Sequence, residues 1–310
     1  MCINKKYLNK RIDFLALISA NNCNPNGDPT SEGNMPRTDT DGYGIISANC
    51  MKRKIRNSAQ DHGANIACMA DFRKTDACTS FAERIEPLRK GAADNAAFAE
   101  KLTEAYWDIR AFGTVAAYKV KDGKEQSSVS LGIRGAVSIG DAFTVEPVVI
   151  NDMGITKSFN GVFVDPKKDL SGMTSDRMGR RFTVQHGLYV VKGSINPFFA
   201  EKTGFTKEDA EMLKTALESL FENDESSARP AGSMAVERIY WWEYEGEDDS
   251  AKAPSMSTAA VQRTVKVEKK PGVSSPRSID DYEITYDRTA LEGKHIKASV
   301  YMGNGRWMEA

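Results

Sequence analysis

Apolar stretches alternate along this chain with long polar ones, and their spacing predicts both strands and helices. Residues 11–20 (RIDFLALISA) are typical of a buried strand, and residues 234–244 (MAVERIYWWEY) alternate with the period of a sheet. Thr206 suits the N-cap of a helix at 207–223 that has acidic residues in its first turn. The other predicted elements are helices at 47–61 and 94–107 and strands at 109–120, about 128–150, 184–193 and 282–287.

The strong elements, taken in order, give strand, helix, strand, strand, helix, strand. This is the βαββαβ order of a ferredoxin-like or RRM-like α+β sheet. Four stretches interrupt it: a polar loop, an Ala- and Asp-rich stretch, one with little apolar periodicity and one rich in Ser, Pro and Lys. This predicts one elaborated domain, residues 1–310, with long insertions. The four stretches are 21–46, 62–93, 151–183 and 245–280.

A polar loop leads directly into the helix at 47–61. Ser47 suits its N-cap, and one arc of the helix is apolar at about 100° per residue. The neighbouring arc combines an amide with cations: Asn49, Lys52, Arg53 and Arg56. Such a stripe is often only a solvated face. The Gly- and Pro-rich loop before it favours a function, because a polar loop of about 25 residues is uncommon in a compact domain.

Charge is segregated along the chain although the formal net charge is only −1. Residues 52–56 contain four cations and residues 177–181 three, whereas residues 243–249 contain five acids. If the protein holds RNA, this distribution predicts a local cationic groove with a repelling exterior. No apolar run approaches the ~18 residues that span a bilayer. The five cysteines form no C-x-x-C pair, which favours reduced thiols in a cytoplasm over zinc or disulfides.

Few residues suggest catalysis. The three histidines, His62, His186 and His295, lack metal-ligand spacing, and no nucleotide-binding or hydrolase motif occurs. Loop aspartates Asp28, Asp39 and Asp41 could bind Mg²⁺ and cleave RNA. Asp next to Gly or Pro is also ordinary turn chemistry.

Segments spread from residue 12 to residue 287 resemble one family, the backbone subunit of the type I-C CRISPR Cascade surveillance complex (Csd-type, RAMP superfamily). The segments are NPNGDP, MPRTD and GYGIISANCMKRKIRN, then DIRAFGTVAA (108–117), IRGAV (133–137), RMGRR (177–181), HGLYVVKGSINP (186–197), TGFTKEDAEMLKTALESLFENDESSAR (203–229) and SPRSIDDYEITYD (275–287).

This resemblance implies an RRM-like palm with finger-like insertions at 21–46 and 62–93, a thumb at 151–183 and a variable insertion at 245–280. Positions matching Ser47, Asn49, Lys52 and Arg56 contact guide-RNA phosphates in related subunits. The candidate RNA-binding residues are Asn24, Asn26, Arg37, Ser47, Asn49, Lys52, Arg53, Arg56, Arg134, Arg180 and Arg181. Gly135 could let the backbone approach an RNA phosphate closely, so that Arg134 reaches it. A structural role for this glycine is the alternative.

The thumb of this family displaces an RNA base, and an apolar side chain must then enter the base stack. The candidates are Phe159, Met173 and Met178, each of which could instead pack in the thumb itself.

The resemblance also implies partners and a function. A non-catalytic prokaryotic subunit would polymerise head to tail along the CRISPR guide RNA and form a helical ribonucleoprotein filament for antiviral defence. It would work without a cofactor, metal or membrane. The expected partners are the guide RNA, target DNA through an R-loop, copies of itself, the Cas5-type and large Cascade subunits and a transient helicase-nuclease.

Two alternatives remain open. One is a metal-dependent, RNA-cleaving backbone subunit that uses the loop aspartates, as in type III complexes. The other is an RRM-like RNA binder outside CRISPR, which the lack of an RNP-type aromatic pattern in the strands makes weaker.

Overall fold

The computed structural model describes residues 7–122, 125–156, 178–245 and 254–309. Its strands are β1 (Ile12–Cys23), β2 (Tyr43–Ile46), β3 (Gly113–Asp122), β4 (Glu125–Arg134), β5 (Val137–Ile139), β6 (Ala142–Pro147), β7 (Ile150–Thr156), β8 (Met178–Ile195), β9 (Met234–Tyr244), β10 (Val265–Lys269), β11 (Tyr282–Tyr286), β12 (Ile296–Tyr301) and β13 (Trp307–Glu309). Its α-helices are α1 (Ala48–Asp61), α2 (Phe81–Lys90), α3 (Asn95–Ala105), α4 (Trp107–Phe112), α5 (Pro197–Thr203), α6 (Lys207–Glu218) and α7 (Thr258–Gln262). Single 3₁₀ turns lie at Glu32–Asn34, Asp71–Arg73, Ile279–Asp281 and Thr289–Leu291.

A nine-stranded antiparallel sheet organises this mixed α+β fold. The order along it is β13-β12-β9-β1-β8-β6-β2, and β5 and β7 also pair with β8. The central strand β1 is buried over its first nine residues because both of its faces are covered. Its apolar sequence therefore lacks the alternation of a half-exposed strand.

The two faces of the sheet carry separate hydrophobic cores. Phe14, Ile18 and Trp241 pack with α1 and α6 on one face. Leu15 and Trp242 pack on the other with the β10–β11 hairpin and α7. Adjacent tryptophans on β9 thus enter opposite cores, as the period of a strand requires.

A third, smaller core joins α2, α3 and α4 to the two-stranded sheet of β3 and β4. The prediction of a strand at 109–120 is wrong at its start, because the chain is helical through Phe112. Gly113 makes the change of direction. Its φ is +71°, and a Cβ on it would lie 2.1 Å from the Ile133 carbonyl oxygen. Only glycine fits this close approach.

The C-terminal third differs most from the sequence prediction. The strand near 282–287 is present as β11, but it is not the last one, since β12 pairs with β9 and β13 follows. The described part of the predicted insertion at 245–280 includes α7 and β10, both of which pack in the second core. The helix predicted at 207–223 ends at Glu218, and Thr206 forms the expected N-cap with Asp209.

The two ends of the predicted thumb, residues 151–156 and 178–183, pair with each other and extend the sheet. β7 pairs with β8 from Ile150 opposite Val184 to Thr156 opposite Met178. The last five residues of β7 are exposed. Residues 157–177 lie outside the described chain. No helix in the described parts of the chain is both long and apolar enough to cross a membrane.

Candidate nucleic-acid interface

Three separate parts of the chain accept hydrogen bonds at the start of α1. Ser47 is the N-cap, and its Oγ accepts from the Cys50 N–H at 3.3 Å. The Asn26 side chain accepts from the Ser47 N–H at 2.9 Å, and the Asp141 carboxylate accepts from the Ala48 N–H at 2.6 Å. These bonds fix the first turn of the helix against the polar loop before it.

The outward face of α1 presents an amide and an ammonium group. Asn49 is exposed, without a hydrogen-bond partner among the described residues. Lys52 is half-buried, with its Nζ 6.0 Å from the centre of the Phe112 ring and no ion pair in the described chain. Burial lowers the pKa of Lys52, and the nearby Arg56 lowers it further. A bound anion would favour the charged ammonium form at this position.

Arg56 makes one side-chain hydrogen bond within the described chain, through its Nε, and its terminal nitrogens make none there. Its Nε donates to Asp108 Oδ2 at 2.8 Å, and Asp108 is fully buried. Asp108 also accepts from the backbone N–H groups of Ala67 and Cys68. The Arg56 guanidinium lies 5.0 Å from the Phe112 ring centre, and its terminal nitrogens have no hydrogen-bond partner in the described chain. Arg56 therefore anchors α1 and can still donate to a ligand.

The other two cations of residues 52–56 bind protein groups. Arg53 donates to the Cys68 carbonyl oxygen, and burial lowers its pKa. Lys54 points the opposite way, is 2% exposed, and pairs with Asp224. Burial lowers the pKa of Lys54 although Asp224 opposes the shift. Lys54 thus joins α1 to the segment that follows α6.

The loop before α1 is held by its own side chains. Asn24 is buried, and its Nδ2 donates to the Asn34 carbonyl oxygen at 2.7 Å. Asn26 is half-buried at the start of α1. Arg37 is partly exposed, 3.4 Å from the Asp28 carboxylate. Of these three candidate residues, only Arg37 carries a charge, and its side chain is partly exposed. Asn24 is buried inside the loop.

The loop aspartates stabilise turns. Asp28 Oδ1 accepts from both the N–H and the hydroxyl of Thr30, and these bonds lower the pKa of Asp28. Asp39 Oδ1 accepts from the N–H groups of Asp41 and Tyr43. The described chain contains no group of three or more His, Cys, Asp or Glu side chains arranged to hold a metal ion.

Arg134 ends β4 with its side chain exposed and its guanidinium 4.1 Å from the Phe199 ring centre. Gly135 beside it approaches protein backbone, since a Cβ there would lie 2.3 Å from the Ala111 carbonyl oxygen. This packing gives Gly135 the structural role that the sequence left open. No hydrogen bond or ion pair in the described chain joins Arg134 to α1.

The basic residues at the start of β8 lie beside the first loop. Arg180 is exposed and forms ion pairs with Asp152 on β7 and with Glu32 in the loop. Arg181 is half-buried, and its Nε has no hydrogen-bond partner. Of the three wedge candidates, Phe159 and Met173 lie outside the described residues. Met178 is the first residue of β8.

The structure therefore groups most of the candidate residues along one route. Asn26, Ser47, Asn49, Lys52 and Arg56 lie at the first three turns of α1 or beside them, and Glu32 links the loop to Arg180. Sequence reasoning missed Asp108, Asp141 and Phe112, which position this group. Nothing in the local pattern indicates them, because each reaches α1 from a distant segment.

The chain is similar to known CRISPR-associated proteins. The chain matches the family model of the CRISPR-associated protein Cas7 over residues 10–287. The CRISPR-associated protein Cas7 of Haloferax volcanii is 26% identical over 239 residues, which are 72% of this chain and 67% of that protein.

Two solved structures show weaker similarity in shape. A chain of a CRISPR RNA-guided surveillance complex in a pre-nicking state superposes with a TM-score of 0.44 at 15% identity, covering 77% of this chain and 79% of that one. A chain of another CRISPR RNA-guided surveillance complex gives 0.41 at 17% identity, covering 77% and 70%.

Proposed function

The chain belongs to the Cas7 family of CRISPR-associated proteins, and we propose that it is the non-catalytic, guide-RNA-binding backbone subunit of a type I-C Cascade complex. Many copies bind one CRISPR RNA head to tail, a heterologous contact that builds a helical filament. The protein holds the RNA backbone and leaves the bases free to pair with target DNA.

One observation carries this proposal: the outward face of α1. Asn49 is exposed, the Lys52 ammonium group has no ion pair in the described chain, and the terminal nitrogens of Arg56 have no hydrogen-bond partner there. Donors spaced along one helix face suit successive phosphates and 2′-hydroxyls of a single strand. They carry no set of contacts that would read a base.

We further propose that four strands form the RRM-like palm of the family. The neighbouring strands β9-β1-β8-β6 have α1 between β1 and β6 in the chain and α6 between β8 and β9. This is the connectivity of a βαββαβ unit. Both helices pack on one face, and the N-terminus of α1 is near the end of β2.

The insertions take the finger and thumb roles in this proposal. The helices and strands around the third core, together with the loop at 21–46, form the fingers. The β7–β8 hairpin is the base of the thumb, and its Arg180 and Arg181 meet RNA phosphate. Arg180 supports this role because its ion pairs are exposed, so a phosphate can replace a carboxylate at little cost.

A non-catalytic role fits the bonding of the loop aspartates. Asp28 and Asp39 each use a carboxylate oxygen to hold a turn. A pair of Mg²⁺ ligands would need carboxylates that converge on one point. We therefore assign these residues to the shape of the loop.

The type I-C subtype and the partners of the subunit are proposed from the sequence motifs. The proposed partners are the Cas5-type and large subunits, the helicase-nuclease that acts after an R-loop has formed, and the target DNA. The complex would work in a prokaryotic cytoplasm as a ribonucleoprotein.

Native mass spectrometry of the chain with guide RNAs of increasing spacer length tests the proposal. We expect the number of bound copies to rise in steps with spacer length, and the steps to be the same for unrelated spacer sequences. A fixed copy number, or binding to one spacer sequence only, would contradict it.

Incubation of the assembled complex with target and Mg²⁺ should leave all strands intact. Cleavage that disappears in Asp28→Ala or Asp39→Ala would favour the alternative, a ribonuclease.

A further inference from the structure

Phe72 is the most exposed large apolar side chain in the described chain, at 82% of its full surface. It lies at the middle of a single 3₁₀ turn, Asp71–Arg73, between two charged residues. Full exposure of a phenyl ring is costly in water, and such a ring usually marks a contact surface. The motifs that indicate the family do not include this residue.

The turn that carries Phe72 is fastened to α1. Arg73 donates to the Asn57 carbonyl oxygen at 3.2 Å and to the Asp61 carboxylate. Gln60 in turn donates to the Arg73 carbonyl oxygen at 2.9 Å, and Arg53 donates to the Cys68 carbonyl oxygen. The side chain of Phe72 is therefore held on a rigid support, which lowers the entropy lost on binding.

This support lies beside the proposed phosphate-binding face. The residues of α1 that hold the turn, Arg53, Asn57 and Gln60, recur at i, i+4 and i+7 and share one stripe. At about 100° per residue, Asn49 and Arg56 fall on the adjacent stripe. The aromatic ring thus borders the same helix that presents the donors.

The surroundings of Phe72 favour a nucleic-acid base over a protein surface. Asp71, Thr75 and Asp76 nearby are exposed and polar, and the Arg73 guanidinium is 5.9 Å from the ring centre. The core of a protein interface needs a contiguous apolar patch. A single exposed ring is an arrangement with which proteins bind single strands, since every base has a face that can stack. The two cations of the turn, Arg73 and Lys74, are paired with Asp61 and Asp71.

We propose that Phe72 stacks on a base of the bound RNA strand while the α1 donors hold the adjacent backbone. This inference rests on the proposed function, and it adds a base contact that is independent of sequence.

A comparison of intact and abasic RNA tests the stacking. Wild type, Phe72→Ala and Phe72→Trp would be titrated with a single strand that binds one copy and with one that binds several. Each strand would be made with its bases and as an abasic backbone. Met308→Ala, which removes a side chain 52% exposed on the edge strand β13, is the matched control.

We expect Phe72→Ala to weaken binding of intact RNA by about five- to a hundredfold, the range measured for loss of one stacked base. Affinity for abasic RNA should not change. Phe72→Trp should retain binding, and its indole fluorescence should fall on intact RNA only. Met308→Ala should behave as wild type.

Three results would overturn the proposal. One is that Phe72→Ala lowers the affinity equally for intact and abasic RNA, and another is that Phe72→Ala does not lower the affinity at all. The third is a loss confined to strands that bind several copies, which would make Phe72 a contact between subunits. Failure of the wild type to bind any of the strands would instead refute the proposed function. Binding that Lys52→Ala weakens and Phe72→Ala does not would refute only the stacking.

Discussion

Lys52 and Lys54 lie two positions apart on α1, and the turn of the helix puts them in opposite environments. Lys54 is buried against Asp224 and the Phe221 ring, whereas Lys52 is half-buried without an ion pair in the described chain. Charge counted along the sequence cannot separate the two. The structure assigns Lys54 to the joint between α1 and the segment after α6, and leaves Lys52 for a ligand.

Lys52→Ala should weaken RNA binding similarly for all sequences. If Lys52 neutralises one phosphate, the slope of log K against log salt concentration should become less negative by about 0.7. Fluorescence titration from low to moderate salt measures both quantities. Lys297→Ala, on β12 at the far side of the sheet, is the control and should leave the slope unchanged. An unaltered slope in folded Lys52→Ala would remove Lys52 from the interface.

Asp108→Ala should lower the free energy of unfolding by about 3 kcal/mol, as loss of one member of a buried ion pair does. The substitution leaves Arg56 without its partner and deprives the Ala67 and Cys68 N–H groups of an acceptor. Urea unfolding at neutral pH measures the change. A loss below about 1 kcal/mol would show that Asp108 does not hold α1 to the neighbouring helices.

His186 should make part of the stability depend on pH. Burial lowers the pKa of His186 below its usual 6.5; Asp281 opposes this shift and Arg277 supports it. The folded chain therefore binds this proton less readily than the unfolded chain. The resulting stability is complete above about pH 6.5 and is lost as the pH falls through the lower, folded-state pKa.

Urea unfolding at about pH 7.5 and pH 5.5 measures this contribution. Wild type should lose stability between the two, and His186→Gln should lose less. His62→Gln removes an exposed histidine and should show the wild-type difference. Identical pH dependence in wild type and His186→Gln would contradict the assignment.

At the scale of elements, the sequence predicts best where one pattern decides the outcome. β1, α1 and β9 combine clear periodicity with defined ends, and the structure places them within about three residues of the prediction. The strand predicted at 109–120 is wrong over its first four residues, because Ile109 is apolar for its place in a helix that packs in the third core. Apolar residues alone do not distinguish the two.

β12 and β13 show a different limit. The sequence of β12, IKASVY, has the alternation of a strand, but it lies beyond the last segment that resembles the family. Its place in the sheet depends on pairing with β9, about fifty residues earlier in the chain. Reading periodicity to the end of the chain would have found β12, but not its partner.

The segment between β7 and β8, residues 157–177, should be separable from folding. Replacing residues 157–177 with a short Gly/Ser linker retains the described ladder from Ile150 to Thr156 and its pairing with β8. We expect a cooperatively unfolding chain that fails to assemble on guide RNA, because the proposed function assigns this segment to the thumb and its loss would compound along a filament. Thermal unfolding and native mass spectrometry measure the two effects.

Two outcomes would contradict this expectation. Normal assembly of the shortened chain would make the segment a surface loop. Loss of cooperative unfolding would place the segment in the folded core. Replacing residues 271–275 between β10 and β11 with a linker of equal length is the control, and it should leave assembly intact.

For the whole molecule, the candidate interface depends on contacts that no local pattern contains. The stripe on α1 and its N-cap can be predicted from residues 47–56 alone. The groups that fix it, Asp108, Asp141 and Asp224, come from three other parts of the chain. The sequence therefore indicates which helix could bind RNA, and the fold determines which of its cations remain accessible.

The identity of the RNA that the whole molecule holds tests the central proposal most directly. The measurement is sequencing of the RNA that copurifies with the tagged chain from cells that contain its CRISPR locus. A uniform population of guides, each a spacer flanked by repeat sequence, is the expected result. The Lys52→Ala chain should recover less of it, with the same spacers in the same proportions. A mixture of unrelated cellular RNAs, or no RNA above background, would contradict the assignment of this chain as a guide-RNA backbone subunit.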